Sequence, residues 1–227
     1  MSAAMFYLCR NPQTLETLKN EIRSTFTNKE QIVGGKELGD CHYLKACIDE
    51  AMRLAPPVPG LLPREVSAKE GIEIDGVYIP EGVRPPSLPP PIPKAGKLTV
   101  ENGKKTVAGT PIYALHHNPA YFPAPFSFKP ERWLSTCTPE EEVEAARSAF
   151  TPFSIGPRGC IGKSVAYMEL RLTLARLLFE YDCEEVETEG KAALWKEGYA
   201  MVDGEYRLMD HFTSRKEGPV MKFSRRQ

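Results

Sequence analysis

The chain has 227 residues, 41% hydrophobic and 26% charged, with a net charge of −1, enough to build one globular domain or part of a larger one and no electrostatic footprint for nucleic acid. Its six cysteines, Cys9, Cys41, Cys47, Cys137, Cys160 and Cys183, form no C-x-x-C pair and no regular spacing, which argues against zinc and disulfide frameworks and for a reducing compartment. No apolar run approaches the roughly 18 to 20 residues that span a bilayer, and the N-terminus lacks the pattern of a signal peptide, so the chain as written reads as soluble.

A short apolar run over residues 1–8 stops at Cys9-Arg-Asn-Pro12. Residues 12–26 then read as an amphipathic helix with Leu15, Leu18, Ile22 and Phe26 as its buried stripe. A second helix is expected over residues 43–54, with Leu44, Cys47, Ile48 and Ala51 on one face and a stop at Pro56-Pro57. On it Glu50 and Arg53 are three apart and therefore neighbours, an arrangement that in isolation is a solvated ion pair worth about 0.2 to 0.5 kcal/mol. Residues 60–66 read as a strand, and residues 73–80 as a short strand with a turn at Asp75-Gly76.

Residues 84–107 break the pattern, because the prolines of Pro85-Pro-Ser-Leu-Pro-Pro-Pro-Ile-Pro93 favour extended polyproline and no sheet accepts them. A hairpin about Asn102-Gly103 would fit residues 96–109. The segment reads as a solvent loop, as a ligand for a proline-binding partner, or as inserted sequence. Beyond it a strand is expected over residues 110–115, followed by a turn at His116-His117-Asn118-Pro119 whose adjacent histidines point different ways and so suit packing better than metal. Residues 139–149 form a glutamate-rich helix. Strands are expected at 181–186 and 220–223, with 187–215 as connection and 222–226 as a basic, solvated end.

Between these lies Phe153-Ser-Ile-Gly-Pro-Arg-Gly-Cys-Ile-Gly162. Its prolines and glycines forbid regular structure up to Cys160, and apolar residues at 161, 165, 168, 172 and 175 then recur at helical spacing to residue 179, widened by Leu170, Leu174, Leu177 and Leu178. The sulfur is thereby set at a helix N-terminus, where N–H groups and the helix dipole stabilise negative charge, and a thiolate is the form that binds metal. A small buried hydrophobe beside a turn is the plainer reading of a lone cysteine.

The pattern Phe153-x-x-Gly156-x-Arg158-x-Cys160-x-Gly162 resembles the haem-binding loop of the cytochromes P-450, the family known for haem iron held by a cysteine thiolate. Glu50-x-x-Arg53 resembles the family's Glu-x-x-Arg signature and Pro130-Glu-Arg-Trp133 the segment supplying its third partner, Arg132, with Trp133 in place of the commoner Phe. The resemblance implies a mainly α fold with small β-sheets, the C-terminal portion of the family's fold over residues 1–227, interrupted by an insertion at 84–107 that could be translated intron. It implies Cys160 as axial ligand of haem b, Phe153 over the sulfur, Gly156 and Gly162 leaving room for the porphyrin, and Arg158 and Arg64 facing the propionates. Residues 58–62 would line the substrate side. Glu50, Arg53 and Arg132 would form a buried network whose breaking strands a charge at about 3 to 5 kcal/mol.

The activity implied is that of a monooxygenase, taking O2 and NADPH-derived electrons through NADPH–cytochrome P-450 reductase and placing one oxygen atom in a small apolar or aromatic substrate. The wording of the motifs is most like filamentous-fungal members. The oxygen-activating residues and the membrane anchor that puts such proteins on the cytosolic face of the endoplasmic reticulum are expected upstream of this sequence. Alternatives are a catalytically inactive haem-binding fragment or misread gene product, and an interaction module using the proline tract.

Overall fold

A computed structural model describes residues 1–64, 66, 68–74, 76–81, 109–186, 204–216 and 218–226. The chain divides into two compact units, Met1–Pro59 with Ile112–Gln227, and Gly60–Pro111.

In the larger unit α1 (Ser2–Arg10) and α2 (Pro12–Thr25) meet at Asn11, whose Nδ2 donates to the Tyr7 carbonyl at 2.7 Å, with Pro12 opening α2 where no N–H is needed. The short α3 (Lys36–Gly39) leads to α4 (His42–Leu54). Leu15, Leu18, Ile22 and Phe26 of the α2 stripe are buried with Leu44, Cys47, Ile48 and Ala51 of α4 in one core, which Leu8 of α1 and Leu174, Ala175 and Leu178 of the later α7 (Lys163–Glu180) complete. Residues spaced three and four apart on each helix supply these contacts, so the stripe read from sequence is the surface that leaves water.

α6 (Glu140–Ala149) carries Glu140, Glu141 and Glu142 in its first turn, where carboxylates suit the positive end of the dipole, and buries Val143, Ala146 and Ala149. Ala46, Phe122, Trp133, Ala146 and Ala149 make a second cluster. α7 passes directly into β3 (Tyr181–Glu185), which pairs antiparallel with β4 (Met221–Arg225) in a register that sets Cys183 opposite Phe223. In the smaller unit β1 (Ile72–Ile74) and β2 (Val77–Ile79) form an antiparallel hairpin, turning at Gly76 with φ of 74°, where glycine has no Cβ to strain. Val66 packs with Ile79 there.

Several expectations are corrected. Residues 110–115 are not a strand: Ile112–His116 is helix α5, with Pro111 just before its first residue and Asn118-Pro119 beyond its end, both compatible with helix boundaries. Of the strand expected over 60–66 the described residues keep an isolated bridge between Leu61 and Pro111, since Pro63 lacks the N–H a ladder needs. The basic end is strand rather than tail, with Lys222 Nζ 2.7 Å from Glu184 Oε1 and the Arg226 N–H donating to the Glu180 carbonyl at 2.8 Å. The proline tract, the hairpin about Asn102-Gly103 and residues 187–203 lie outside the described residues. No helix of the described residues is long and apolar enough to cross a membrane.

Candidate functional site

The loop that carries Cys160 is fixed at both ends. At its start the Thr151 N–H donates to Nε2 of buried His116 at 2.9 Å. The chain then takes positive φ at Ser154 (59°) and Gly156 (67°), turns through a 3-10 segment at Gly156–Arg158, and closes when the Cys160 N–H donates to the Phe153 carbonyl at 2.9 Å. Seven residues of sequence separation thus become one hydrogen bond. Only Gly156 takes its positive φ without a Cβ clash; at Ser154 that conformation costs on the order of 1 to 3 kcal/mol, held by the loop around it.

Cys160 is exposed, and Gly162 caps the N-terminus of α7 just after it. A Cβ on Gly162 would stand 3.7 Å from the Cys160 sulfur, so glycine leaves that flank of the sulfur open. The expected apolar stripe divides in two. Leu174, Ala175 and Leu178 are buried, but Ile161 is 103% exposed, Val165 53% and Met168 47%. Three apart on α7, Val165 and Met168 share a face, so the N-terminal half of the helix shows water an apolar surface beside the thiol, while its C-terminal half is packed in the core. Arg158 is exposed on the 3-10 turn. An exposed thiol, apolar side chains next to it, a flank left bare by glycine and a guanidinium close in the chain suit a flat, apolar ligand with a metal to bind and an anionic edge. The residues present fit haem.

Phe153, half-buried, meets Tyr167 with ring centroids 5.4 Å apart, and Tyr167 donates its hydroxyl to Asp49 Oδ1 at 2.6 Å. Asp49 is also paired with Lys45. Burial first, then the Asp49 charge, raises the Tyr167 hydroxyl above its ordinary range and keeps it a donor. This strut from the cysteine loop to α4 was invisible in the sequence, where Tyr167 is one more residue of an apolar helix. Phe153 also lines an apolar cavity of about 540 Å³ between α1, α4 and α7, bordered by Ala4, Met52, Ala166 and Leu170.

Beneath the loop the structure brings Glu50, Arg53 and Arg132 together. Arg53 reaches Glu50 with two donors at 2.9 Å each, and Arg132 Nε donates to Glu50 Oε1 at 3.0 Å. Two further donors complete the carboxylate, the Lys129 N–H at 2.9 Å and Trp133 Nε1 at 3.0 Å. Trp133 is thus no mere aromatic substitute: a phenylalanine would fill the space but leave Glu50 Oε2 one donor short. Further guanidinium N–H groups donate to the carbonyls of His116, Pro125 and Ser127 from Arg53, and of Pro123 and Ala124 from Arg132. Paired in this way, these charges clamp α4 to the segment before the cysteine loop. Arg64 belongs to the smaller unit, where its Nη1 donates to the Pro63 carbonyl at 3.2 Å. The two histidines pack, as expected: His116 against Phe150, and His117 on the Tyr113 ring with Nε2 3.3 Å from Glu205 Oε1.

The family model for Cytochrome P-450 matches residues 1–84 and 103–208. The chain belongs to the cytochrome P-450 family. It is 39% identical to the cytochrome P-450 monooxygenase apf8 of Gibberella fujikuroi, covering 100% of this chain and 55% of that protein. It is 40% identical to cytochrome P-450 monooxygenase atnE of Emericella nidulans over 98% of this chain and 37% of the relative, and 38% identical to poxM of Penicillium oxalicum over 99% and 36%. The chain therefore spans between about a third and somewhat over half of these P-450 relatives. As a family, the P-450 proteins hold haem through a cysteine thiolate and work with a redox partner on small substrates.

Proposed function

We propose that this chain is the haem-binding portion of a haem-thiolate monooxygenase, with Cys160 as the axial ligand of haem b. The observation that carries the reading is the closed loop: the Cys160 N–H bonded to the Phe153 carbonyl presents an exposed sulfur beside the apolar residues Ile161, Val165 and Met168. Phe153 would cover the sulfur, Gly156 and Gly162 would leave room beside it, and Arg158, with Arg64, would face the propionates. Glu50, Arg53 and Arg132 do no chemistry here; they hold the loop's support in place. A bound haem supplies the reduction of O2 and the transfer of one oxygen atom to a small apolar or aromatic substrate, drawing electrons from NADPH through a reductase at the cytosolic face of the endoplasmic reticulum. The loop's backbone N–H groups and apolar neighbours set how much charge the sulfur carries.

With haem added to the full chain, we expect Cys160→Ala to abolish the red-shifted absorption of the reduced carbonyl form, and Cys137→Ala, which removes the other exposed cysteine among the described residues, to keep it. A Cys160→Ala protein retaining that absorption would exclude Cys160 as the ligand. The exposure of Ile161, Val165 and Met168 favours a second reading, haem binding without oxidation. Reductase-dependent product formation by the haem-loaded chain separates the two.

A further inference from the structure

Outside the haem loop, two other cysteines stand in contact. Cys9 on the last turn of α1 and Cys183 at the centre of β3 are 174 positions apart in sequence, yet their sulfurs are 3.8 Å apart and both are partly buried. Cys41 and Cys47 are buried, while Cys137 and Cys160 are exposed. The strand that carries Cys183 is pinned to the helices around Cys9 by ion pairs on either side of it: Lys19 and Arg23 reach Asp182 at 2.7 and 3.0 Å, and Arg10 reaches Glu185 at 2.9 Å. The contact is therefore held by the surrounding structure.

We propose that Cys9 and Cys183 are a redox-sensitive pair that closes to a disulfide on exposure to a low-molecular-weight disulfide. Closing the gap from 3.8 Å to the roughly 2.0 Å of an S–S bond needs about 2 Å of travel, within reach of a side-chain rotation and a small shift of one element. The order of events follows from the hydrogen bond. Cys9 Sγ donates to Cys183 Sγ, and that bond first, with the charges of Lys19 and Arg23 after it, holds the Cys183 thiol below its ordinary range, whereas the same bond and burial hold Cys9 above its own. Cys183 attacks as thiolate, breaking the S–S bond of the reagent, releasing one thiol and forming a mixed disulfide. Cys9 then attacks the Cys183 sulfur, the second thiol leaves, and the protein disulfide is complete. Two electrons pass from the cysteines to the reagent, and the two thiol protons end on the two thiols released. The bond would join α1 to the terminal sheet.

Trypsin cuts the two cysteines into separate peptides, 1–10 and 177–191, each with a single cysteine. After the full chain is incubated with oxidised glutathione, blocked with an alkylating agent and digested without reductant, we expect these peptides to be recovered joined, and free again after reduction. In Cys9→Ser we expect peptide 177–191 to carry one glutathione, since the attacking sulfur remains and the resolving one is gone. In Cys183→Ser we expect Cys9 to stay alkylated. Recovery of both peptides unlinked and alkylated from wild-type protein that keeps its native circular dichroism would overturn the proposal, as would Cys183 joined to Cys137 or Cys160. The wild-type mapping decides the matter even if a variant fails to fold.

Discussion

His116 shows how much one side chain can settle at a distance from the chemistry. It is fully buried, its Nε2 accepts the Thr151 N–H that starts the cysteine loop, and its carbonyl accepts from Arg53. Accepting at Nε2 requires the neutral ring. Burial first and the Arg53 charge second hold its pKa down to about 3. The unfolded chain takes up a proton near pH 6.5 that the folded protein refuses, so this group's contribution is intact above that pH and is lost as pH falls toward 3. The slope is at most about 1.4 kcal/mol per pH unit. Urea unfolding at pH 7, 6 and 5 should show that decline in wild type and a flatter one in His116→Gln, whose amide oxygen can still accept from Thr151. Equal slopes for the two proteins would remove His116 as the cause.

At the scale of elements, α4 has no cap of its own: Cys41 at its N-cap makes no side-chain capping bond. Glu21 of α2 supplies it instead, its two carboxylate oxygens accepting the Tyr43 and Leu44 N–H groups at 2.8 Å each. A carboxylate at that end satisfies two orphan donors and the helix dipole together. Glu21→Ala should cost about 1 to 2 kcal/mol in denaturant unfolding at pH 7, and Glu21→Gln less, because the amide presents one acceptor to the two donors. A loss below about 0.3 kcal/mol for the alanine variant would show that water replaces the cap. α5 teaches the opposite lesson about local reading. A run of apolar and aromatic residues after a Thr-Pro looked like strand, but Ile112–His116 turns as helix, and at its last residue Arg53 donates to the His116 carbonyl and the Thr151 N–H to the His116 ring.

For the whole molecule, the family match stops at residue 84 and resumes at 103, and the insertion we propose over residues 84–107 includes that gap. Loop length costs little free energy, each doubling about 0.6 kcal/mol. Deleting residues 85–102 should therefore move the thermal midpoint of the main unfolding transition by less than about 4 °C and leave the Cys160-dependent haem absorption unchanged. Loss of cooperative unfolding on deletion would show that the segment is part of the fold.

The sequence alone determined the helices of the core and the residues that face it, because an apolar stripe at helical spacing has to be buried somewhere: Leu15, Leu18, Ile22 and Phe26 on one helix, Leu44, Cys47, Ile48 and Ala51 on another. It also marked the cysteine loop, since closely spaced glycines and prolines fix a local backbone path whatever surrounds them. Tertiary structure decided what depends on partners far along the chain. Glu21 reaches across 22 positions to cap α4, Trp133 donates to Glu50 across 83, and Tyr167 ties the cysteine loop to Asp49 across 118. Cys9 meets Cys183 across 174. A hydrogen bond or sulfur contact is a matter of a few tenths of an ångström, and periodicity in a sequence carries no information at that distance about which remote residue will arrive.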